Sequence, residues 1–427
     1  MTQRITIPAR STLLAVALLA SLPALAASET SPYYFGVNQA VTGDWNVFRR
    51  PNGQPQPRDV ISSTGLLAGI DQPFGRMRLG ASGALNANRF KNNKQLNNND
   101  HDARLQLDWS TVERLSGDVV LYDRDVLDRY DLTSGQSAQT EKDMLRVTGG
   151  ALRARLGLVT LWSLDGGYSF EYARHSLAIN NNRDVRQGAF NVGVRLSPSD
   201  LWSVRLGVRR TDGKYPNFVQ TVLDPNGLPI PNPDGPTEDK FTRDDLDLSI
   251  NWKPTGNSKF DARLSSTRED HSIQGQRDSR YFTGLIGYDW ILSGKTRLRM
   301  QAARDTGAGR SDSDLGLITE SSDTQVRNSL ALRASWDATA KITVNAGVNY
   351  SRRKLDDAFT QNGSTTVNTA RDRTIITNLS ASYQAMRSLK LGCRLTHEDR
   401  NVEGNNFNTT YPYDATAAMC NLEWLFR

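Results

Sequence analysis

Cys420-Asn421-Leu422-Glu423-Trp424-Leu425-Phe426-Arg427 is the stretch whose reading decides the fold. Successive side chains of an extended chain point to opposite sides, so Leu422, Trp424 and Phe426 share one face and Asn421 and Glu423 the other. The same alternation recurs upstream. Leu246-Asp247-Leu248-Ser249-Ile250-Asn251-Trp252, Ile342 to Tyr350, Trp202 to Arg209 and Phe190 to Leu196 each put aliphatic or aromatic residues on one face and polar ones on the other.

A terminal strand with an aromatic-rich face resembles the signal read by the bacterial barrel-assembly machinery, although Arg427 stands where Phe is usual. The opposite end reads as an export signal. Arg4 and Arg10 precede an apolar stretch from Leu13 to Leu22, followed by Pro23 and Ala24-Leu25-Ala26. That is a basic n-region, an h-region too short to anchor in a bilayer and an A-x-A cleavage site. Residues 1–26 are therefore expected to be a signal peptide, and 27–427 one outer-membrane β-barrel.

Composition agrees. Beyond the leader no apolar run approaches the length of a transmembrane helix. Mean hydropathy is low, at −0.54. A water-filled barrel reconciles low hydropathy with life in lipid, because its apolar side chains face outward and its polar ones inward. Two cysteines permit one disulfide but no disulfide framework. The four histidines (His101, His175, His271, His397) show no metal-ligand spacing and read as solvated loop-end residues.

The lengths of the connections favour a barrel over a soluble sandwich. Short links fall near residues 71–76, 110–115, 156–161, 197–201, 253–259, 292–296, 337–341 and 384–389. Longer links rich in Asn, Asp, Gly and Ser fall near 50–59, 91–101, 124–143, 174–184, 210–240, 268–280, 305–323, 353–371 and 400–413. Their strict alternation is that of tight periplasmic turns and long external loops, and it delimits about eighteen antiparallel strands (16–20) with both termini periplasmic. Trp109, Trp162, Trp202, Trp252, Trp290, Trp336 and Trp424 sit beside a short link or the chain end; only Trp45 does not. Those seven are expected to form an aromatic girdle at the inner interface.

If Trp and the aliphatic residues face lipid, their alternates line the lumen. On that phase fall Arg78, Arg104, Arg153, Arg155, Arg195, Arg205, Arg209, Arg263, Arg297, Arg299, Arg333 and Arg394, with Asp108, Asp165, Asp245, Asp247, Asp261, Asp289 and Glu423. Arginine outnumbers acid. Its planar fork suits carboxylates and phosphates, and lumenal charge sets selectivity, so a wide polar conduit biased towards anionic or polyhydroxylated solutes is expected. The competing reading is that Arg and Asp on neighbouring strands pair and stiffen the wall.

In the loop Asp224 to Pro236, prolines exclude regular strand, leaving either a constriction folded into the barrel or a semi-rigid external loop. Cys393 and Cys420 flank the last long link at equal distance from a hairpin centre near 406–407, on the lipid-facing phase, so a cross-strand disulfide is an open expectation. No catalytic motif is present. A barrel protease or phospholipase would have to use His271 near Asp270, or His397 near Glu398 and Asp399. No cofactor, metal or nucleic-acid partner is expected.

Phe35-Gly36-Val37-Asn38, then Gly43-Asp44-Trp45-Asn46-Val47-Phe48-Arg49 with Pro51, Ser62-Ser63-Thr64 and Gly69-Ile70-Asp71-Gln72-Pro73, resembles the EpsL-type barrels, the outer-membrane β-barrel porins of exopolysaccharide operons in the exosortase/PEP-CTERM system. The resemblance covers the mature chain as a barrel pattern, but only the first two strands carry anything motif-like. It implies a role in exopolysaccharide biosynthesis or export across the outer membrane, with polysaccharide and periplasmic export proteins as partners alongside outer-membrane lipid and the assembly machinery. The expectation is thus passage of a hydrophilic polymer. The alternatives are a general diffusion porin for small anionic solutes, or a barrel enzyme or adhesin with a sealed lumen.

Overall fold

The computed structural model describes residues 31–426 except 113, 129, 131–139, 158–160, 220, 224–228, 232, 274–277, 307–324, 362–363 and 404–409. The expected signal peptide lies outside the described residues. In chain order the strands are β1 (Tyr33–Asp44), β2 (Asp59–Phe74), β3 (Met77–Phe90), β4 (Asn98–Ser110), β5 (Leu115–Leu127), β6 (Met144–Leu156), β7 (Trp162–His175), β8 (Val185–Ser199) and β9 (Trp202–Phe218). They continue as β10 (Thr221–Leu223), β11 (Pro229–Pro231), β12 (Thr237–Thr255), β13 (Ser258–His271), β14 (Ser279–Ser293), β15 (Thr296–Thr306), β16 (Gln325–Asp337), β17 (Ile342–Gln361), β18 (Ser364–Gln384), β19 (Leu389–Glu403) and β20 (Tyr413–Phe426).

All but β10 and β11 belong to one 18-stranded sheet in which each strand pairs antiparallel with its chain neighbour. The sheet closes because β1 also pairs with β20, Phe35 opposite Phe426 and Asp44 opposite Ala417. Closure leaves no free edge, which a strand in lipid could not satisfy. The short links become tight turns at one end, where bulges interrupt the register between Leu196 and Ser199, Trp252 and Thr255, and Ile291 and Ser293. The long connections gather at the other end.

Two expectations change. The link foreseen at 353–371 is mostly strand: β17 and β18 stay paired from Ile342↔Tyr383 to Gln361↔Ser364. At the usual rise and tilt these strands climb roughly 50 Å, about twice an apolar band of ~25 Å. The proline-rich loop likewise contains strand, for β10 and β11 form a small antiparallel hairpin, with Thr221 opposite Pro231 and Leu223 opposite Pro229. An isolated two-stranded ribbon tolerates proline where the missing donor faces no partner. This hairpin approaches β17, past the five intervening strands β12 to β16, and so spans part of the mouth.

The surface is inverted relative to a soluble protein. Leu66, Leu85, Phe190, Leu206, Phe282 and Leu379 are among many exposed apolar side chains, while Asp245, Asp247, Thr267, Arg353 and Asp372 are among the buried polar ones. The two sets alternate along the same strands, so lipid-compatible groups cover the outside of the closed sheet and polar groups fill its inside. That inversion, on a closed 18-stranded barrel, places the chain in the outer membrane of a Gram-negative cell.

Candidate conduit and its charged wall

Inward-pointing positions follow from the pleat. On β12, Leu246, Leu248 and Trp252 are exposed, so Asp245 and Asp247 between them point inward and are buried. Arg78, Arg104, Arg195, Arg205, Arg209, Arg263, Arg297, Arg299, Arg333, Arg394, Asp108 and Asp261 keep the same phase on their own strands.

Several of these residues pair into ladders across neighbouring strands. Arg209 Nη2 lies 2.9 Å from Asp245 and 3.9 Å from Asp247. Asp245 also faces Arg243 at 3.2 Å and accepts from the Thr267 hydroxyl, while Ser265 donates to Asp247. Arg353 grips Asp372 with two nitrogens, a bidentate geometry that fixes orientation as well as charge. Towards the short turns, Arg78 meets Asp71 at 2.5 Å, Arg299 meets Asp289 at 3.4 Å and Arg297 meets Asp337 at 3.9 Å. Asp108 accepts from Gln106. Arg104, Arg263 and Arg394 have no carboxylate within ion-pair distance among the described residues. Asp261 faces Asn251 and Gly287 across the ladder, and Arg333 faces Arg299.

One cluster departs from simple pairing. Arg155 on β6 stands opposite Asp165 on β7, and Arg195 on β8 stands directly opposite Arg205 on β9. Arg205 Nε bonds Asp165 at 2.6 Å; Arg195 Nε, buried and without a hydrogen bond, is 3.9 Å from the other carboxylate oxygen. Two guanidinium groups therefore share one aspartate, with a third arginine across the ladder from it. Like charges directly opposite one another destabilise a sheet, so an anion gains by joining them. Gly193 and Gly207 let Arg205 lie flat along the wall: a Cβ at either would fall within 2.5 Å or less of the guanidinium.

The long-connection end is filled by loop side chains. Val47, Phe48, Phe90, Leu96 and Tyr130 form an apolar cluster, flanked by Ile61 and Leu127. Asn46, wholly buried, donates to the carbonyls of Arg50 and Asp414 and accepts from Arg50 N. Arg49 bonds Asp44 and Glu398. Asp44, Asn46, Phe48 and Arg49, which carry the family resemblance, are thus structural parts of the mouth.

Two histidines are not solvated. The His271 side chain is buried, with Nδ1 2.8 Å from Asp239 and Nε2 2.9 Å from Glu269, and Asp270 instead pairs with Arg268. His175 is buried beside Asp184, at 3.1 Å, and Asp128, at 3.6 Å. With Asp128 and Asp143 it forms a group whose ligating atoms lie within 4.8 Å of one another. Asp143 is occupied as a loop anchor, accepting from Ser176 N, Leu177 N and Asn180. Linear spacing could not show this, because the acids come from two separate connections, β5–β6 and β7–β8. His101 pairs with Asp123 at 2.7 Å, and His397 with the Thr416 hydroxyl.

Trp162, Trp202, Trp252, Trp290, Trp336 and Trp424 are exposed on the outer face at the short-turn end; Trp109, at the same end, packs over Gly117. Trp45 follows β1 at the opposite end. Cys393 and Cys420 face each other in the β19–β20 register and are joined, with sulfurs 2.13 Å apart.

No family model and no curated protein matches this chain. Solved structures similar to it include OpdK from Pseudomonas aeruginosa with vanillate, at 11% identity, 92% of this chain, 98% of that one and a TM-score of 0.48. OpdQ from the same organism gives 10%, 93%, 99% and 0.46. The siderophore receptor PirA from Acinetobacter baumannii gives 9%, 92%, 80% and 0.43.

Proposed function

We propose that this barrel is a passive, porin-type channel for small hydrophilic anions. The observation that carries the reading is the sharing of Asp165 by Arg195 and Arg205 on the inner wall, with Arg155 across the ladder from the same aspartate. Guanidinium groups gathered around one carboxylate leave positive charge at a point about the size of one carboxylate or phosphate. Lumenal charge of that sign raises the local concentration of anions and lowers their barrier to passage. Small anions displace polymer as the leading solute because the arginines come in discrete groups and not as a continuous track. The neighbouring Arg–Asp ladders hold the wall, while the unpaired arginines supply the bias.

Passage of exopolysaccharide is the second reading, supported by the resemblance of the first two strands. Part of the segment bearing it, Asp44 to Arg49, builds the mouth, where a polymer would leave. The seven short-turn tryptophans support an orientation with that mouth outward.

The test is the reversal potential of the purified barrel in a planar bilayer under a potassium chloride gradient. Anion preference in the wild type that falls in R155Q/R195Q/R205Q supports the channel reading. Cation preference, or no change in the variant, overturns it. Block by long anionic oligosaccharides, but not by their monomers, would favour the polymer.

A further inference from the structure

The outer face of the barrel carries a second basic feature, separate from the conduit. Arg186 on β8 stands directly opposite Lys214 on β9, which stands directly opposite Lys240 on β12. Tyr172 on β7 adjoins the row opposite Arg186. Three cations side by side on adjacent strands cost stability unless an anion joins them. Glu238 reaches Lys214 at 2.7 Å and Lys240 at 3.5 Å, so one carboxylate serves two ammonium groups. Arg186 has no carboxylate within ion-pair distance among the described residues.

The row lines a cleft of about 1070 Å³. Tyr168, Tyr172, Asn181, Pro216 and Asn217 also line it. Gly188 makes room for Tyr168, since a Cβ there would come within 2.8 Å of its hydroxyl. The acids in the lining have partners: Asp184 bonds His175 and Asn217, and Asp212 meets Arg210 and Thr242. Just towards the short-turn end the same outer surface becomes apolar, with Phe190, Leu206 and Val208 exposed. From Val208 to Lys214 the strand climbs roughly 15 Å, the scale of a headgroup layer. The surface thus passes from acyl-compatible, through tyrosine and the ion pairs of Arg210 with Asp212 and Asp244, to cationic in the direction of the long loops.

We infer that this cleft binds the phosphate of a phosphorylated glycolipid of the outer leaflet, its acyl chains lying along Phe190, Leu206 and Val208. Charge complementarity selects the phosphate, and the apolar strip below selects an amphiphile over a free anion. The inference does not depend on what the conduit passes, because the cleft and the lumen are on opposite faces of the sheet.

The experiment compares wild-type protein with R186Q/K214Q/K240Q, both purified from outer membranes in mild detergent, and measures retained lipid A by native mass spectrometry. Folding is checked by heat-modifiable mobility, and the conduit by single-channel conductance. Retention should fall by about fivefold for each charge removed, with mobility and conductance unchanged. R186K/K214R/K240R should keep the lipid, which separates loss of charge from loss of fold. Lipid A stripped of its phosphates should fail to bind the wild type. Equal retention by the glutamine variant, or equal binding of dephosphorylated lipid, overturns the inference. Thermal protection by inorganic phosphate as strong as that by lipid A would assign the cleft to a free anion and overturn it as well.

Discussion

Arg49 and Glu398 lie 349 positions apart, yet Arg49 Nη2 meets Glu398 Oε1 at 3.2 Å and ties the first long connection to the penultimate strand. The same guanidinium holds Asp44 at 2.7 Å, and Tyr413 donates to Glu398 from the last strand. Burial works against the charge on Arg49, but Glu398 and Asp44 outweigh it and raise its pKa above the ordinary value. Arg49→Met would strand two partly buried carboxylates, a loss of about 3–5 kcal/mol. Urea unfolding in detergent should show that loss, and the bilayer current should become noisier as the first connection loosens. A variant as stable as the wild type would reduce this contact to the worth of a surface pair.

Gly193 sits beneath Arg205 on the inner wall, where a Cβ would meet the guanidinium carbon at 2.5 Å. The obstacle is the end of a flexible side chain, so Gly193→Ala should fold and swing Arg205 away from Asp165. Freed of its aspartate, that arginine projects into the lumen. Anion preference should rise and single-channel conductance should fall. Unchanged values for both would mean that Arg205 does not face the permeating ion.

Alkali should loosen the mouth. The Tyr130 phenol is held above its usual range by burial, and by Asp143 and Asp128 beside it, while its hydroxyl donates to Glu141 O at 2.9 Å. A raised folded-state pKa contributes stability below the unfolded value, near 10, and loses it as pH climbs towards the folded value. Wild-type stability should therefore decline above about pH 10. Tyr130→Phe should cost about 1 kcal/mol at neutral pH and flatten that decline. Identical alkaline profiles would remove Tyr130 as the responsible group.

Much of this barrel was legible because lipid imposes a period of two: outside the strand Leu246 to Trp252 must be apolar, and inside it need not be. That constraint lapses above the membrane. Strands β17 and β18 run on through Lys354 and Asp357 with no apolar face to mark them, and only their mutual register shows that they remain paired. Phase gave the inward face of Arg155, Arg195 and Arg205 but not the aspartate that Arg195 and Arg205 share, since partners depend on turn lengths and bulges. His175 and His271 looked solvated for a similar reason. The acids around His175 come from two separate connections, and His271 takes Asp239 from the neighbouring strand besides Glu269 on its own, so local spacing encodes at most one partner.

Cys393 and Cys420 close a hairpin of 27 positions on the outer face. A crosslink of that span restricts the unfolded chain and stabilises the fold by about 2–4 kcal/mol. Neither sulfur points into the lumen, so C393S/C420S should unfold at lower urea while conducting as the wild type does. Intact mass before and after reduction should differ by the two hydrogens of one disulfide. A mass insensitive to reductant would mean that the thiols stay free on the lipid-facing surface. A change in conductance would mean that the last hairpin shapes the lumen through its register as well as closing the barrel.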